Sequence, residues 1–393
     1  MTAIEFFFWF SLAVLIYCYA GYAIILVPLN FLKNIFSRKS KSRDYDLPPV
    51  TLVVAAYNEE AILEQKIQNT LQLDYPSELL NVIFITDGSS DNSAELIGRH
   101  DFITHLHQSE RKGKSAAVKR AMRFVQTPVV IFSDANSMLN PGSIRAIVRH
   151  YADEKVGGVA GEKKIMNAGC QSAVGDAEGL YWKYESFLKK QDAAFNSVVG
   201  AAGELFSIRT ELFYALDDSI ILDDFILSMH VCLEGYKIEY EPKAYAMEAP
   251  SSSLTEEEKR KVRIAAGAYQ AVGYLVKRLN IFKFPLLTLQ YFSRRLLRWI
   301  ACPILIATIF ACNISLVIDH QEIIYNYFLF AQAGFYLLAL VGWIFISLGW
   351  RIGILKIPFY FLFMNICLIK GFFNQVQGRQ TVNWEKSLRE AIE

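Results

Sequence analysis

Hydrophobic residues are concentrated at the two ends of the chain, whereas charged residues fill its middle. Residues 6–32 are apolar and aromatic and long enough to cross a hydrocarbon core of ~30 Å, so they predict a transmembrane anchor over residues 1–33. Three more apolar stretches predict membrane segments within 299–373: residues 299–318, 324–348 and 354–373. The last contains the polar residues Asn365 and Lys370, so it is expected either to span the membrane or to be re-entrant or interfacial.

Basic residues follow the N-terminal apolar segment directly. A predicted linker over residues 34–49 contains Arg38, Lys39, Lys41 and Arg43. Because basic residues beside membrane helices mark the cytoplasmic side, the middle of the chain is expected to face the cytoplasm. A polar tail is predicted over residues 374–393. If all three C-terminal segments crossed the membrane, this tail and its basic residues would end outside, against the same rule.

The middle of the chain alternates short apolar stretches with helical patterns. This alternation predicts an α/β fold, with a mostly parallel sheet flanked by helices, in one domain over residues 50–280. The predicted strands are 50–56, 81–86 and 129–133, with further strands near 156–160 and 202–208. The predicted helices are 59–71, 93–99, 115–124 and 141–151. Residues 281–298 separate arginines from leucines and aromatic residues, which predicts an amphipathic helix at the membrane interface.

Polar side chains follow the first three predicted strands. Asn58 and Glu59 follow the first strand, where they also suit the capping of the next helix. Asp87 follows the second strand, and Asp134 and Asn136 follow the third. Because the carboxyl ends of parallel strands meet at one edge, these side chains are expected to share a ligand-binding edge. Asp134 and Asn136 suit a hard divalent cation, Mn²⁺ or Mg²⁺; an Asx turn is the alternative.

Composition and charge narrow the classes of function. Hydrophobic residues make up 53% of the chain, which is more than a purely soluble protein of this size needs. The formal net charge is +1, so no overall field predicts a nucleic-acid partner. The six cysteines include no Cys-x-x-Cys pair, which argues against a disulfide framework or a zinc site. The basic loop at residues 111–114 suits a phosphate ester, with a solvated surface as the alternative.

Several motifs, in this order, resemble those of family 2 glycosyltransferases of the GT-A type. The resemblance covers residues 47–276, and the flanking membrane segments match in kind. The segments that carry it are 54–60 (nucleotide binding), 87–91 (nucleoside-binding aspartate), 111–117 (basic loop), 134–136 (Asp-x-Asp metal motif), 200–209 (small residues beside the donor sugar) and 222–225 (acidic motif with the catalytic base).

The resemblance implies roles for individual residues. It places the catalytic base at Asp224, next to Asp223, and a divalent cation on Asp134 and Asn136. A carboxylate base suits inverting transfer, in which the acceptor hydroxyl loses a proton as it attacks the anomeric carbon. The implied contacts of the nucleotide sugar are Ala56, Tyr57, Asn58, Glu59, Asp87, Gly113, Lys114, Asp134, Ala135, Gly203, Arg260, Arg263 and Gln270.

The chain departs from the family pattern at three places. Asn136 stands where many relatives have a second aspartate, so the expected metal site has one formal charge fewer. The Gln-x-x-Arg-Trp motif of processive synthases is absent; Arg260 and Arg263 stand there instead, three residues apart, and are expected to clamp a diphosphate. Glu204 occupies a position where a small residue is expected.

The predicted function is inverting, metal-dependent transfer of a sugar from a nucleotide diphosphate sugar, expected to be a UDP-sugar. The acceptor is expected to be a lipid-linked sugar or a polysaccharide end at the bacterial inner membrane. A processive synthase coupled to export is the alternative within this class. A non-catalytic membrane protein that binds nucleotide sugars is a second class. A transporter is disfavoured, because its polar centre would have to lie within the membrane.

Overall fold

The sheet at the centre of the molecule has eight strands. The computed structural model describes residues 1–36, 46–166, 173–320, 322–350 and 353–379. Most of the predicted basic linker, Cys170 and the end of the polar tail lie outside these residues. The strands are β1 (Val50–Ala56), β2 (Leu80–Asp87), β3 (Ile103–Gln108), β4 (Val129–Asp134), β5 (Met138–Leu139), β6 (Val156–Ile165), β7 (Phe206–Arg209) and β8 (Lys237–Glu248).

Helices cover both faces of the sheet and extend from it. The helices before β6 are α1 (Ala3–Ile16), α2 (Tyr22–Phe36), α3 (Glu60–Leu71), α4 (Ser93–Gly98), α5 (Lys114–Met122) and α6 (Ser143–Val148). Those after it are α7 (Ala173–Phe195), α8 (Asp223–Leu233), α9 (Leu254–Leu275), α10 (Pro285–Tyr291), α11 (Cys302–His320), α12 (Ile323–Ser347) and α13 (Lys356–Val376). π-helical turns join α1 to α2 at Tyr17–Gly21 and α10 to α11 at Phe292–Ala301.

The strand order is β3-β2-β1-β4-β7-β6-β8-β5. β1, β2, β3 and β4 pair in parallel, as do β6 and β8, whereas β7 is antiparallel to both of its neighbours. The sheet is therefore mixed, with parallel pairs in the majority, and its antiparallel pairs are those of β7 and the pair of β5 with β8. The antiparallel β7 lies beside β4 and joins the half built from β1–β4 to the half built from β6 and β8.

Alternating side chains of the central strands form an apolar core on each face of the sheet. Val53 and Ile85 point into one core, and Leu52 and Phe84 into the other. Burial of such side chains contributes roughly 1.5–3 kcal/mol each, which fixes the strand register and hence the residues that leave each strand end. The predicted strand over residues 202–208 begins only at Phe206, so residues 202–205 approach the sheet edge as a loop.

Four helical stretches among the described residues are long and apolar enough to cross a membrane. They are Ala3–Phe36, Pro285–Asp319, Ile323–Ser347 and Gly353–Val376. The last packs along α9, where Gly371 lies against Ala265. By length and composition, the last predicted segment is also a candidate span.

The arginines of the predicted interfacial helix turn toward the protein. Arg294 is 2% exposed and pairs with Glu185 at 3.1 Å and Asp192 at 2.9 Å, both on α7. Arg298 also pairs with Glu185, at 2.6 Å. Tyr22 of α2 donates a hydrogen bond to Asp192 at 2.6 Å. The acids of α7 lie more than 100 residues away in sequence, so the local pattern at 281–298 could not reveal this burial.

Candidate functional site

The β1–α3 junction is held by side chains of the following βα loop. Asn58 has a φ of 52°, and its Oδ1 accepts a hydrogen bond from the Ser90 amide at 2.8 Å. The amide of Glu60, the first residue of α3, donates to Asp91 Oδ2 at 3.1 Å. The amide of Glu59 donates to Ser93 Oγ at 3.0 Å. The expected capping of α3 by Asn58 is therefore wrong; its left-handed backbone turns the side chain to the neighbouring loop.

Asp87 holds the basic loop in place. It is 2% exposed, and its Oδ2 accepts hydrogen bonds from the amides of Lys112 and Gly113 at 3.0 and 2.7 Å. Gly113 has a φ of 93°, which a residue with a Cβ adopts only at a cost, and it directly precedes α5. On the same loop, the guanidinium of Arg111 lies 3.6 Å from the centre of the Tyr57 ring.

Asp134, at the end of β4, pairs with the ammonium of Lys114, the first residue of α5. Although burial works against its charge, Asp134, Asp223 and Asp224 raise the pKa of Lys114. Burial raises the pKa of Asp134, although Lys114 opposes this shift. Asp87 thus positions Lys114 through the basic loop, and Lys114 links the Asp134 end of the site to the Asp223–Asp224 end.

Asp224 lies in the first turn of α8, where its Oδ1 accepts a hydrogen bond from the Phe225 amide at 2.7 Å. Burial and the charge of Asp223 raise the pKa of Asp224 to about 7. Gly203 faces this carboxylate closely: a Cβ on Gly203 would lie 3.0 Å from Asp224 Oδ2 and 2.8 Å from Lys114 Nζ. A side chain at residue 203 would crowd both groups, so the backbone can approach them this closely only with glycine there.

The side chain of Gln270 forms hydrogen bonds to the loop before α8. Its Oε1 accepts a hydrogen bond from the Ile221 amide at 2.9 Å, and its Nε2 donates to the Ser219 carbonyl at 2.8 Å. Its amide group is therefore engaged with the protein backbone. Gln270 helps to place Asp223 and Asp224, whereas it was expected to contact the nucleotide sugar.

The two arginines of α9 have different surroundings. Arg260 pairs with Glu178 and, at 2.8 Å, with Glu257, and both acids are buried. Burial lowers the pKa of Arg263, against the attraction of Asp223 and Asp224, and its Nε has no hydrogen-bond partner among the described residues. Arg260 is thus balanced by two carboxylates, whereas Arg263 faces the acids of the site. Both arginines line the same cavity, and the clamp on a diphosphate stays a prediction.

A buried charge network behind Asp134 has no counterpart in the sequence-based predictions. Lys163 donates to Glu204 Oε1 at 2.5 Å and to Glu248 Oε2 at 2.6 Å. Lys66 is fully buried and donates to Ser133 Oγ at 2.8 Å, and burial lowers its pKa to about 7. The unusual Glu204 is therefore balanced by a lysine on the neighbouring strand. The spacing of these residues gives no signal, because they lie on α3, β6, β8 and the loop before β7.

The site opens into a cavity of about 1770 Å³. Of the predicted site residues, the cavity is lined by Glu59, Lys114, Asp134, Ala135, Asn136, Gly203, Asp223, Asp224, Arg260 and Arg263. Ala56, Tyr57, Asn58, Asp87, Gly113 and Gln270 lie behind or beside this lining. The cavity also continues along α13, where Met364 and Leu368 contribute apolar surface. One cavity therefore joins the acids at the sheet edge to the candidate membrane helices.

The oxygen donors at the end of β4 fit a cation only with help from a ligand. Asp134 and Asn136 both line the cavity, and one oxygen of Asp134 already pairs with Lys114. Within the described ranges, no group of three or more His, Cys, Asp or Glu side chains is placed to hold a metal. Mg²⁺ commonly binds one or two carboxylates and completes its shell with substrate phosphates and water. The donor set therefore fits a cation that arrives with a diphosphate.

Comparison with known proteins identifies a family model and curated relatives that this chain resembles. The family model described as "Glycosyltransferase like family 2" matches residues 48–267. A poly-beta-1,6-N-acetyl-D-glucosamine synthase of Staphylococcus aureus is 27% identical over 256 residues, which cover 63% of this chain and 61% of that protein. The protein with the same description in Staphylococcus epidermidis is 24% identical over 241 residues, which cover 59% of this chain and 57% of that protein. The chain thus spans about three-fifths of these relatives.

A solved structure resembles almost the whole chain. It is a mannosyltransferase from Pyrobaculum calidifontis, determined in complex with GDP-mannose and Mn²⁺. The TM-score is 0.70, and the match covers 93% of this chain and 99% of that one at 19% sequence identity. At this identity the likeness concerns the fold. Together with the family match, it confirms the predicted α/β fold of the GT-A type.

Proposed function

Because this chain belongs to glycosyltransferase family 2, we propose that it transfers a sugar from a nucleotide diphosphate sugar to a saccharide acceptor at the membrane, with inversion. The observation that carries the proposal is the position of Lys114. Its ammonium pairs with Asp134 and is attracted by Asp223 and Asp224, all of which line one cavity. One cavity therefore offers both a carboxylate that can act as a base and an ammonium that can balance diphosphate charge.

Asp224 is the proposed base. With a pKa of about 7, its carboxyl group can accept a proton at neutral pH and bind it strongly enough to help the transfer. The acceptor oxygen forms a bond to the anomeric carbon while its proton passes to Asp224. The bond between that carbon and the diphosphate oxygen breaks, and its electron pair leaves with the diphosphate. Lys114 and Arg263 balance the negative charge that develops there.

A divalent cation is proposed to accompany the donor. Asp134 and Asn136 would hold it, and the bound cation would neutralise diphosphate charge and favour departure of the leaving group. The mannosyltransferase with a similar fold was determined with Mn²⁺, which supports this assignment. Asp87 and the basic loop, stacked through Arg111 on Tyr57, lie on the side of the site proposed for the nucleoside.

The proposed acceptor is a lipid-linked saccharide or a growing polysaccharide end. The extension of the cavity along α13 supports an acceptor that approaches from the membrane, since Met364 and Leu368 offer apolar surface there. Processive synthesis of a polymer is the second candidate, and the relatives described as poly-beta-1,6-N-acetyl-D-glucosamine synthases favour it. The basic residues that directly follow the first candidate span support a catalytic domain on the cytoplasmic side of the bacterial inner membrane.

The test is a transfer assay on membranes that contain the full chain. Nucleotide sugars labelled in the sugar are supplied one at a time, beginning with UDP-N-acetylglucosamine and including GDP-mannose. We expect one donor to be consumed, its label to appear in a saccharide product, EDTA to stop transfer and Mn²⁺ to restore it. Product length then separates the candidates, because a ladder of long chains indicates processive synthesis and one added sugar indicates single transfer. Consumption of none of the donors would refute the proposal.

A further inference from the structure

The cavity wall on the α7 side contains an aromatic residue that the proposed reaction has not used. Trp182 lines the cavity, and its Nε1 donates a hydrogen bond to Glu178 at 3.2 Å. The ammonium of Lys163 lies 5.0 Å from the centre of the indole ring. Tyr181 packs edge-on against Trp182, with ring centres 5.7 Å apart. Neighbours on α7 and β6 thus fix the position of the ring in the wall.

Lys189 lies one to two turns further along α7 and also lines the cavity. It is 4% exposed, and its ammonium lies 5.5 Å from the centre of the Trp182 ring. Among the described residues, it forms no ion pair within 4.0 Å and no hydrogen bond. A buried ammonium without hydrogen-bond partners is costly, so this group is poised to donate to a ligand.

The contacts of Lys163 show where this part of the cavity wall lies relative to Asp224. The Lys163 ammonium joins Trp182 to Glu204, whose carboxylate it contacts at 2.5 Å. Glu204 follows Gly203, the residue that lies against Asp224. Trp182 is therefore separated from the proposed base by one lysine and one short loop. It lies beside β6, on the far side of Asp134 from the β1–β2 junctions proposed for the nucleoside.

We propose that Trp182, Lys189 and Glu204 form a subsite for the terminal sugar of the acceptor. The indole ring packs against the pyranose, Lys189 donates to its hydroxyl groups and Glu204 accepts from them. Aromatic surface combined with a few fixed polar groups is the usual construction of a pocket for a small polar ligand. This inference rests on the proposed function and names the residues that replace the tryptophan of the missing Gln-x-x-Arg-Trp motif.

The charges around the subsite favour a neutral sugar over an acidic one. Lys163 is paired with two carboxylates, those of Glu204 and Glu248. The charge of Lys189 is balanced at longer range by Glu204 and Glu162. A carboxylate or phosphate on the acceptor saccharide would therefore meet no net positive charge here. Hydroxyl groups, in contrast, can accept hydrogen bonds from the Lys189 ammonium and donate them to the carboxylates.

Equilibrium binding tests the subsite on the solubilised full chain. The probe is a β-1,6-linked N-acetylglucosamine tetrasaccharide, titrated by calorimetry in the presence of UDP and Mn²⁺. We expect Trp182→Ala and Lys189→Gln each to weaken binding at least tenfold, and Trp182→Phe to weaken it by less than Trp182→Ala. The matched controls are Phe187→Ala and Lys190→Gln, two exposed side chains of the same helix, and both are expected to bind within twofold of the wild type.

Donor hydrolysis without added saccharide is measured on the same samples. We expect the two control variants to hydrolyse donor within twofold of the wild type. In Trp182→Ala and Lys189→Gln, the loss of tetrasaccharide affinity should exceed any loss of donor hydrolysis. Failure of the wild type to bind the tetrasaccharide, or wild-type affinity in both Trp182→Ala and Lys189→Gln, would overturn the subsite. Failure of the wild type to consume any nucleotide sugar would instead count against the proposed function, and the calorimetric result is read independently of it.

Discussion

Replacement of Asp224 by asparagine separates its effect on catalysis from its effect on stability. The variant keeps an oxygen able to accept the hydrogen bond that the Phe225 amide now donates at 2.7 Å, so α8 should begin as in the wild type. It removes the carboxylate that we propose as base. A general base contributes about 10²–10⁴-fold to a rate, so we expect kcat to fall by that factor.

The same substitution should stabilise the fold at alkaline pH. Burial and Asp223 raise the pKa of Asp224 from 3.8 to about 7, so the folded state binds this proton more tightly than the unfolded state. The contribution of Asp224 to the free energy of unfolding therefore decreases as pH rises from about 4 to about 7, and it is constant above that range. At about 1.4 kcal/mol per pKa unit, the ionised Asp224 destabilises the folded state at pH 8 by at most roughly 4 kcal/mol. Lys114 also loses an opposite charge in the variant, so we expect a gain of about 1–2 kcal/mol, within that limit.

Two measurements on the purified chain check this reasoning. Thermal unfolding is followed at pH 5 and pH 8 with EDTA and without nucleotide; the variant should unfold at a higher temperature than the wild type at pH 8, and the difference should shrink at pH 5. Transfer rates are followed from pH 5.5 to 8.5, over which kcat/KM of the wild type should rise and level off above about 7. A variant that keeps wild-type turnover, or that is less stable at pH 8, would refute the assignment of Asp224 as a buried base.

Three further substitutions test the supporting structure. Gly203→Ala places a Cβ 2.8 Å from Lys114 Nζ and 3.0 Å from Asp224 Oδ2, so kcat should fall at least tenfold in the transfer assay. Gln270→Leu removes the hydrogen bonds to Ile221 and Ser219; kcat should fall about tenfold while donor affinity measured by calorimetry stays within twofold. Arg260→Met leaves Glu178 and Glu257 buried without their guanidinium partner and should destabilise the fold by about 3–5 kcal/mol in chemical denaturation, whereas Lys259→Met at an exposed neighbour should change stability by less than about 0.5 kcal/mol.

Sequence motifs located the parts of the site that depend on strand ends. Asp87 and Asp134 are the last residues of β2 and β4, and their strands were recognisable as short apolar stretches followed by polar residues. Lys114 was identified in the same way, as the start of a helix after a basic loop. In each case the position of the side chain follows from its own strand or helix, so a local pattern was enough to predict it.

The remaining elements lacked such local signals. β3 alternates polar and half-buried positions at the sheet edge, and β8 contains Pro242 and many charged residues, so neither resembled a buried strand. α7 was missed as well, although its acids hold the arginines after α10. The order of strands in the sheet could not be predicted from the sequence either. The antiparallel insertion of β7 depends on its pairing with β4 and β6, which are far from it along the chain.

The sequence by itself determined the family, the α/β class and the acids at the strand ends, since these depend on residues close together in the chain. Only the tertiary structure decided the use of each charged side chain. Arg260 meets Glu178 from 82 residues away, and Lys163 meets Glu248 from 85 residues away. The free energy of a buried charge depends on the partner that reaches it, and this partner is set by the packing of α7, α9 and the sheet rather than by spacing along the chain.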